Sequence, residues 1–372
     1  MKLQSALWPI LIGAIAYTLF SCLNWYFPGF QAQNIPFLQT AMYLAVAAGL
    51  YINVSDIDID ELLKNWFAIA AVLILGVPTK IFVPGYFLSL VEPTLVLPAA
   101  FLCATVIAQI DPILAAKNIA HERFSVKYGT ILRCWSSFDD PVTVLFAFYI
   151  FLPLFLQTRP DFINQFFAGV ALEILICVGI ALLLRALQLS ATVKGKVQKI
   201  VVIATCTISA LTGKFLLPAS LGLVARPFSD IAKERLLNWI FGFSAFLIGA
   251  LAVGVPLNWK AGAALGVATF FVAQPLVAFL LLRRDSSWPN PNLIRVMAGH
   301  QNGMTAILLT IALELRIGSS DLLAITLPAI IAIACFYYLV NYCLERFYLQ
   351  TFVFPVQALD SDAEHSAGAI KK

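Results

Sequence analysis

Ile131-Leu132-Arg133-Cys134-Trp135-Ser136-Ser137-Phe138-Asp139-Asp140-Pro141-Val142-Thr143-Val144 opens an apolar stretch that runs on to Leu156 and holds two adjacent carboxylates near its middle. A run of this length and character reads as a helix crossing a bilayer, which takes about 20 predominantly apolar residues. One Asp at the bilayer centre costs roughly 2.5–3.5 kcal/mol. Two side by side therefore need a reason, and for an intramembrane acid the usual one is ion or proton traffic.

The rest of the chain fits that reading. Of its 372 residues, 61% are hydrophobic and only 12% charged, against about 25% charged in soluble domains. The net charge of +4 is small and its basic residues are scattered between apolar blocks, which excludes a nucleic-acid partner. Seven cysteines lie in or beside apolar segments with no CxxC or Cys/His spacing; they read as free thiols, with no metal site and no cofactor. No nucleophile–base constellation is present, so an enzyme is not expected. The first apolar run, 8–27, is longer than a signal-peptide core and reads as a retained span.

Hydropathy gives about twelve spans, near 8–27, 36–53, 66–90, 94–118, 131–156, 163–184, 199–213, 215–226, 236–254, 261–282, 293–315 and 321–343. With that count, nineteen basic residues fall on one side and five on the other (Lys80, Arg159, Lys214, Lys260 and Arg316). Positive loops mark the cytoplasmic side, so both termini are expected in the cytoplasm; the compact chain and short tail point to a plasma membrane. Reading 199–226 as one span would spoil the bias. The acidic loop Asp56–Glu61 reads as a helix start that favours carboxylates. Residues 1–354 are expected to form one transmembrane domain, and 355–372 a short cytoplasmic tail.

Two spans are broken internally. Span 4 carries Gln109-Ile110-Asp111-Pro112, and span 11 carries Gly299-His300-Gln301-Asn302-Gly303. Interrupted helices at membrane depth belong in protein or beside a wet cavity, and in corresponding positions they point to a transporter site. Spans 3–5 and 10–12 would be the two units, inverted by the offset of seven; the repeat rests on topology, without clear sequence self-similarity. The side chains expected to converge are Thr105, Gln109, Asp111, Ser136, Ser137, Asp139, Asp140, Gln274, His300, Gln301 and Asn302. Two carboxylates this close cannot both ionise cheaply in a low-dielectric site and should titrate as a coupled unit. A carboxylate that keeps a proton can trade it for a hard monovalent cation, because both occupy the same oxygens.

These motifs resemble those of the monovalent cation/proton antiporter superfamily, of sodium/hydrogen exchanger type. Ile110-Asp111-Pro112 is similar to its Thr-Asp-Pro motif, Trp135-Ser136-Ser137-Phe138-Asp139-Asp140 to its Glu-Ser-x-x-Asn-Asp motif, and Ala48-Gly49-Leu50 to its second-span stretch. The resemblance implies an all-α fold with two crossed discontinuous helices, spans 4 and 11. It implies a core near 66–156 and 261–343, a scaffold near 8–53 and 163–254, and a homodimer. It makes Asp140 the carboxylate that carries ion and proton, with Asp139 beside it as transient cation ligand in the position that accompanies electrogenic exchange. Asp111 would balance the positive helix ends.

The chain departs from the family where Ile110 replaces threonine, Gln274 replaces a lysine or arginine, and His300-Gln301-Asn302-Gly303 replaces Gly-Leu-Arg-Gly. Lys260 lies 14 residues from Gln274, roughly 21 Å along a helix, too far to substitute. The acids are thus expected to lack their usual cationic partners. Rival readings are a sodium-coupled symporter of small organic anions, suited by His300, Gln301 and Asn302, and a sensor that kept the fold without transport. Bland roles compete residue by residue: His300 as a hydrogen-bonding strut, Gln274 as a scaffold donor, Ser136 and Ser137 bonded back to their helix, Glu173 as a satisfied buried acid, and Lys214 snorkelling from a helix end.

Overall fold

A computed structural model describes residues 3–26, 36–112, 115, 119, 126–157, 162–186, 191–253, 255–283, 291–318, 321–344 and 346. Among them the chain is helical and no strand occurs. The long elements are α1 (Leu3–Tyr26), α2 (Pro36–Ser55), α3 (Trp66–Val91), α4 (Leu97–Ala108), α5 (Lys127–Leu156), α6 (Phe162–Ala186), α7 (Ala191–Thr212), α8 (Leu216–Val224), α9 (Asp230–Leu251), α10 (Trp259–Leu282), α11 (Pro291–Ala298), α12 (Met304–Ile317) and α13 (Asp321–Cys343). Seven of these (α2, α3, α5, α6, α9, α10 and α13) are long and apolar enough to cross a bilayer. The tail at 355–372 and most of span 4 beyond Pro112 lie outside the described residues.

Local chemistry sets the boundaries. Asp58 caps the short helix Ile59–Lys64 by accepting from the Asp60 and Glu61 amides, so the acidic loop is a helix start as expected. The apolar block 199–226 is divided: Gly213, at φ +71°, ends α7, and α8 begins at Leu216. A left-handed residue there is what a helix C-terminus asks of glycine. Helix α7 begins at Ala191, earlier than hydropathy sets it, because Lys194, Lys196 and Lys199 extend the helix beyond its apolar part. Between α3 and α4, Glu92 accepts from Thr94 Oγ1 (2.6 Å) and Asn258 Nδ2 (3.0 Å). Those bonds hold its carboxyl below the usual range.

Packing places α2 at the centre, against α5, α7, α8, α9 and α12, while α1 lies along α9. That last contact is tight: a Cβ on Gly249 would overlap the Gly13 carbonyl. Helix α3 packs on α4 and α10, and α10 on α11 and α13. Helices α3, α5 and α10 are interrupted by π-turns, at Val72–Gly76, Phe146–Phe151 and Ala268–Ala273. Such turns often mark functional positions. The outer faces of α6 and α7 carry exposed Phe167, Leu175, Ile200 and Leu211, which suits lipid rather than water.

Candidate functional site

Asp139 and Asp140 sit side by side in α5, both fully buried, and face different neighbours. Asp139 is paired with Lys80 of α3, Nζ to Oδ2 at 3.1 Å, with both side chains wholly out of solvent. The ammonium also lies 5.1 Å from the centre of the buried Trp135 ring. Trp135 and Asp139 are four residues apart on α5 and so share the face turned to α3. Helix α3 carries Pro84 four residues after Lys80, which cannot donate to the Lys80 carbonyl. The expectation that the acids lack a cation is therefore corrected. Lys80, counted from sequence among loop charges, lies inside the apolar helix and supplies the charge that Gln274 cannot.

Asp140 is held differently. Asn53 Nδ2 of α2 donates to Oδ2 at 2.7 Å and Thr305 Oγ1 of α12 donates to Oδ1 at 3.1 Å. Among the described residues no cationic side chain lies within ion-pairing distance of it. Thr143 Oγ1 accepts from Gln109 Nε2 (2.7 Å) and is positioned to donate to the Asp139 and Asp140 carbonyls (2.8 and 2.9 Å).

The two sequence breaks meet. Helix α4 stops at Ala108 and Gln109 is extended, at φ −65° and ψ 139°. Asn302 Nδ2 donates to the carbonyls of Ile107 and Gln109, both at 2.9 Å, and His300 Nε2 lies 3.0 Å from the Ile107 oxygen. In return the Asp111 amide donates to the Gln301 carbonyl at 2.9 Å. Each break thus satisfies backbone groups that the other leaves open, as buried chain at this depth requires. The Asp111 carboxylate lies directly over Gly303, the N-cap of α12, where any Cβ would overlap it. A carboxylate there faces the positive end of the α12 dipole.

The other expected residues divide. Gln274 donates to the Val296 carbonyl at 3.0 Å and braces α11 against α10. Thr105 and Ser136 are buried but bond back to Phe101 and Arg133 of their own helices; Ser137 is buried on α5. His300 touches backbone and no carboxylate hydrogen bond, which is the strut geometry. Around the breaks, Gln109 Oε1, Gln274 Oε1, Asn302 Oδ1 and His300 Nδ1 are buried without a hydrogen-bond partner. Buried acceptors of this kind are normally satisfied, and amide oxygens suit a hard cation. Glu173 is a satisfied buried acid, bonded by the Tyr149 hydroxyl and by the Leu217 amide at 2.9 Å. Sequence reasoning missed Lys80, Asn53 and Thr305. Only Lys80 carried a readable signal, a charge inside an apolar run.

The transmembrane family model for sodium/hydrogen exchangers matches residues 9–225. Two structures of the sodium proton antiporter MjNhaP1 from Methanocaldococcus jannaschii share the fold. One, at pH 8, aligns with a TM-score of 0.59 at 14% identity over 90% of this chain and 93% of that one. The other, from electron microscopy, gives 0.62 at 13% identity over 95% and 99%. No curated protein matches the sequence.

Proposed function

The chain belongs to the sodium/hydrogen exchanger family, and we propose that it exchanges a monovalent cation (Na+, Li+ or K+) for protons, with Asp140 carrying either load. The observation that carries this reading is the contrast between neighbours. Asp139 is neutralised by Lys80, whereas Asp140 is as deeply buried and receives only the neutral donors Asn53 and Thr305. A buried carboxylate without a counter-ion needs a proton or a cation to stay there. The two are alternative occupants of the same oxygens, which is the chemistry of antiport.

Alternating access supplies the rest of the cycle. In this reading α3–α5 and α10–α13 form the moving core, crossing at the two breaks, and α1, α2 and α6–α9 form a scaffold that offers a homodimer surface in the plasma membrane. The Asn53–Asp140 bond then joins scaffold to core and must break as the core moves. Gln109 and Asn302 are placed to lend oxygens to a passing cation, and Asp111 steadies the start of α12. Asp139 is the second acid through which charge could be moved. Orientation with both termini in the cytoplasm follows from the charge bias.

The test is reconstitution into vesicles with a pH gradient, followed by addition of each alkali cation. Dequenching of a pH-sensitive dye on cation addition is expected from the native protein and is abolished in Asp140→Asn. Full exchange by that variant would remove the proposal.

A further inference from the structure

At the end of α2 away from the acidic loop lies a cavity of about 550 Å³, lined by Lys214, Arg316, Tyr43, Phe148 and Phe166 among others. It is distinct from the Asp140 site. The lining rings of Tyr43 and Phe148 lie 5.7 Å apart, and Phe215 packs against both, at 5.4 and 4.8 Å. Asp140 lies eight residues before Phe148 on α5, about 12 Å along the helix.

The cations in this cavity are unusual for their place. The charge pattern leaves only five basic residues on this side of the membrane, and one of them, Lys80, is inside the helical bundle. Two of the remaining four, Lys214 and Arg316, line the same cavity. Neither makes an ion pair among the described residues. Glu173 faces Lys214 electrostatically, but its oxygens are engaged by Tyr149 and the Leu217 amide.

Apart from Thr212 and the tyrosine hydroxyls, the remaining wall is mostly aromatic and aliphatic, and it includes Leu211, which is exposed on α7. A free phosphate would satisfy the cations and leave that wall wet; a hydrocarbon alone would do the reverse. We propose that the cavity binds an anionic phospholipid, its phosphate held by Lys214 and Arg316 and an acyl chain lying along Phe148 and Phe166. Arginine offers phosphate a two-pronged donor, and lysine adds a point charge. The volume falls within the roughly 300–1,000 Å³ of ordinary ligand pockets.

The proposal is tested by native mass spectrometry of the full chain in mild detergent, counting retained phosphatidylglycerol, with phosphatidylcholine and inorganic phosphate as competitors. Retention is expected to fall roughly fivefold in Lys214→Gln or Arg316→Gln and roughly thirtyfold in the double variant, from about one charge's worth of lipid attraction each. Lys214→Arg keeps the lipid, and so does Lys260→Gln, which removes an exposed cation outside the cavity. Unchanged retention in the double variant overturns the site. So does an equal loss in Lys260→Gln, equal retention of phosphatidylcholine, or displacement by inorganic phosphate alone. The readout does not involve transport, so it stands apart from the role given to Asp140.

Discussion

Lys80 and Asp139, 3.1 Å apart and both out of solvent, are held together by a balance of large terms. Desolvating each ion costs several kcal/mol, and their attraction returns that only while both are present. Lys80→Met should therefore lower stability by about 3–5 kcal/mol, because it strands a buried carboxylate. Lys80→Met combined with Asp139→Leu replaces the pair with apolar volume and should recover most of that loss. Thermal unfolding in detergent distinguishes them; equal losses in the single and double variants would mean that removing Lys80 strands no charge at Asp139. The acids were legible in the sequence because a charge in an apolar run is a local anomaly. Lys80 is the same kind of anomaly, but a topology count absorbed it as a loop charge. Asn53 and Thr305 had no such signal. They are neutral, cheap to place in a helix, and their bonds to Asp140 span 87 and 165 residues, so they depend on how three helices are rotated against one another.

At the scale of elements, the junction between the end of α4 and the start of α12 rests on one missing side chain. A Cβ at Gly303 would overlap the Asp111 carboxylate, so Gly303→Ala must push Asp111 away from the α12 N-terminus. Overpacking of this kind costs about 1–3 kcal/mol. Asp111→Ala alone loses a helix-end interaction worth roughly 0.3–2 kcal/mol. Once Asp111 is truncated the new methyl has room, so the double variant should cost less than the sum, with a coupling of about 0.5–3 kcal/mol. Melting curves for the four proteins measure that cycle, and strict additivity would show that the contact does not hold the junction. Both breaks were readable from Asp111-Pro112 and from the glycines around His300-Gln301-Asn302. Their pairing through Asn302 and the Gln301 carbonyl was expected only as convergence, since hydrogen bonds between distant backbone segments leave no periodic trace. The π-turns at Val72–Gly76 and Ala268–Ala273 were invisible for a related reason: one extra residue in a helical ladder barely disturbs an apolar pattern.

For the whole molecule, a carboxylate that takes a cation only in the folded state must make folding depend on that cation. Binding linkage gives about 2.7 kcal/mol of added stability at a free cation concentration one hundred times its dissociation constant. The proton competes for the same oxygens of Asp140, which fixes the sign. At alkaline pH the carboxylate is free, and added Na+, Li+ or K+ should raise the melting temperature. As the pH falls the proton occupies the site and the cation-dependent increment should shrink toward zero. The ordering of the three cations by that increment ranks their affinity for the site, which neither the family nor the fold decides. Asp140→Asn should abolish the increment at every pH while leaving the Lys80–Asp139 pair in place, so the folded reference is kept. An equal increment in that variant would move the cation to another group. An increment that grew as the pH fell would mean the two ligands do not share Asp140, and the exchange chemistry argued from its neutral neighbours Asn53 and Thr305 would lose its basis.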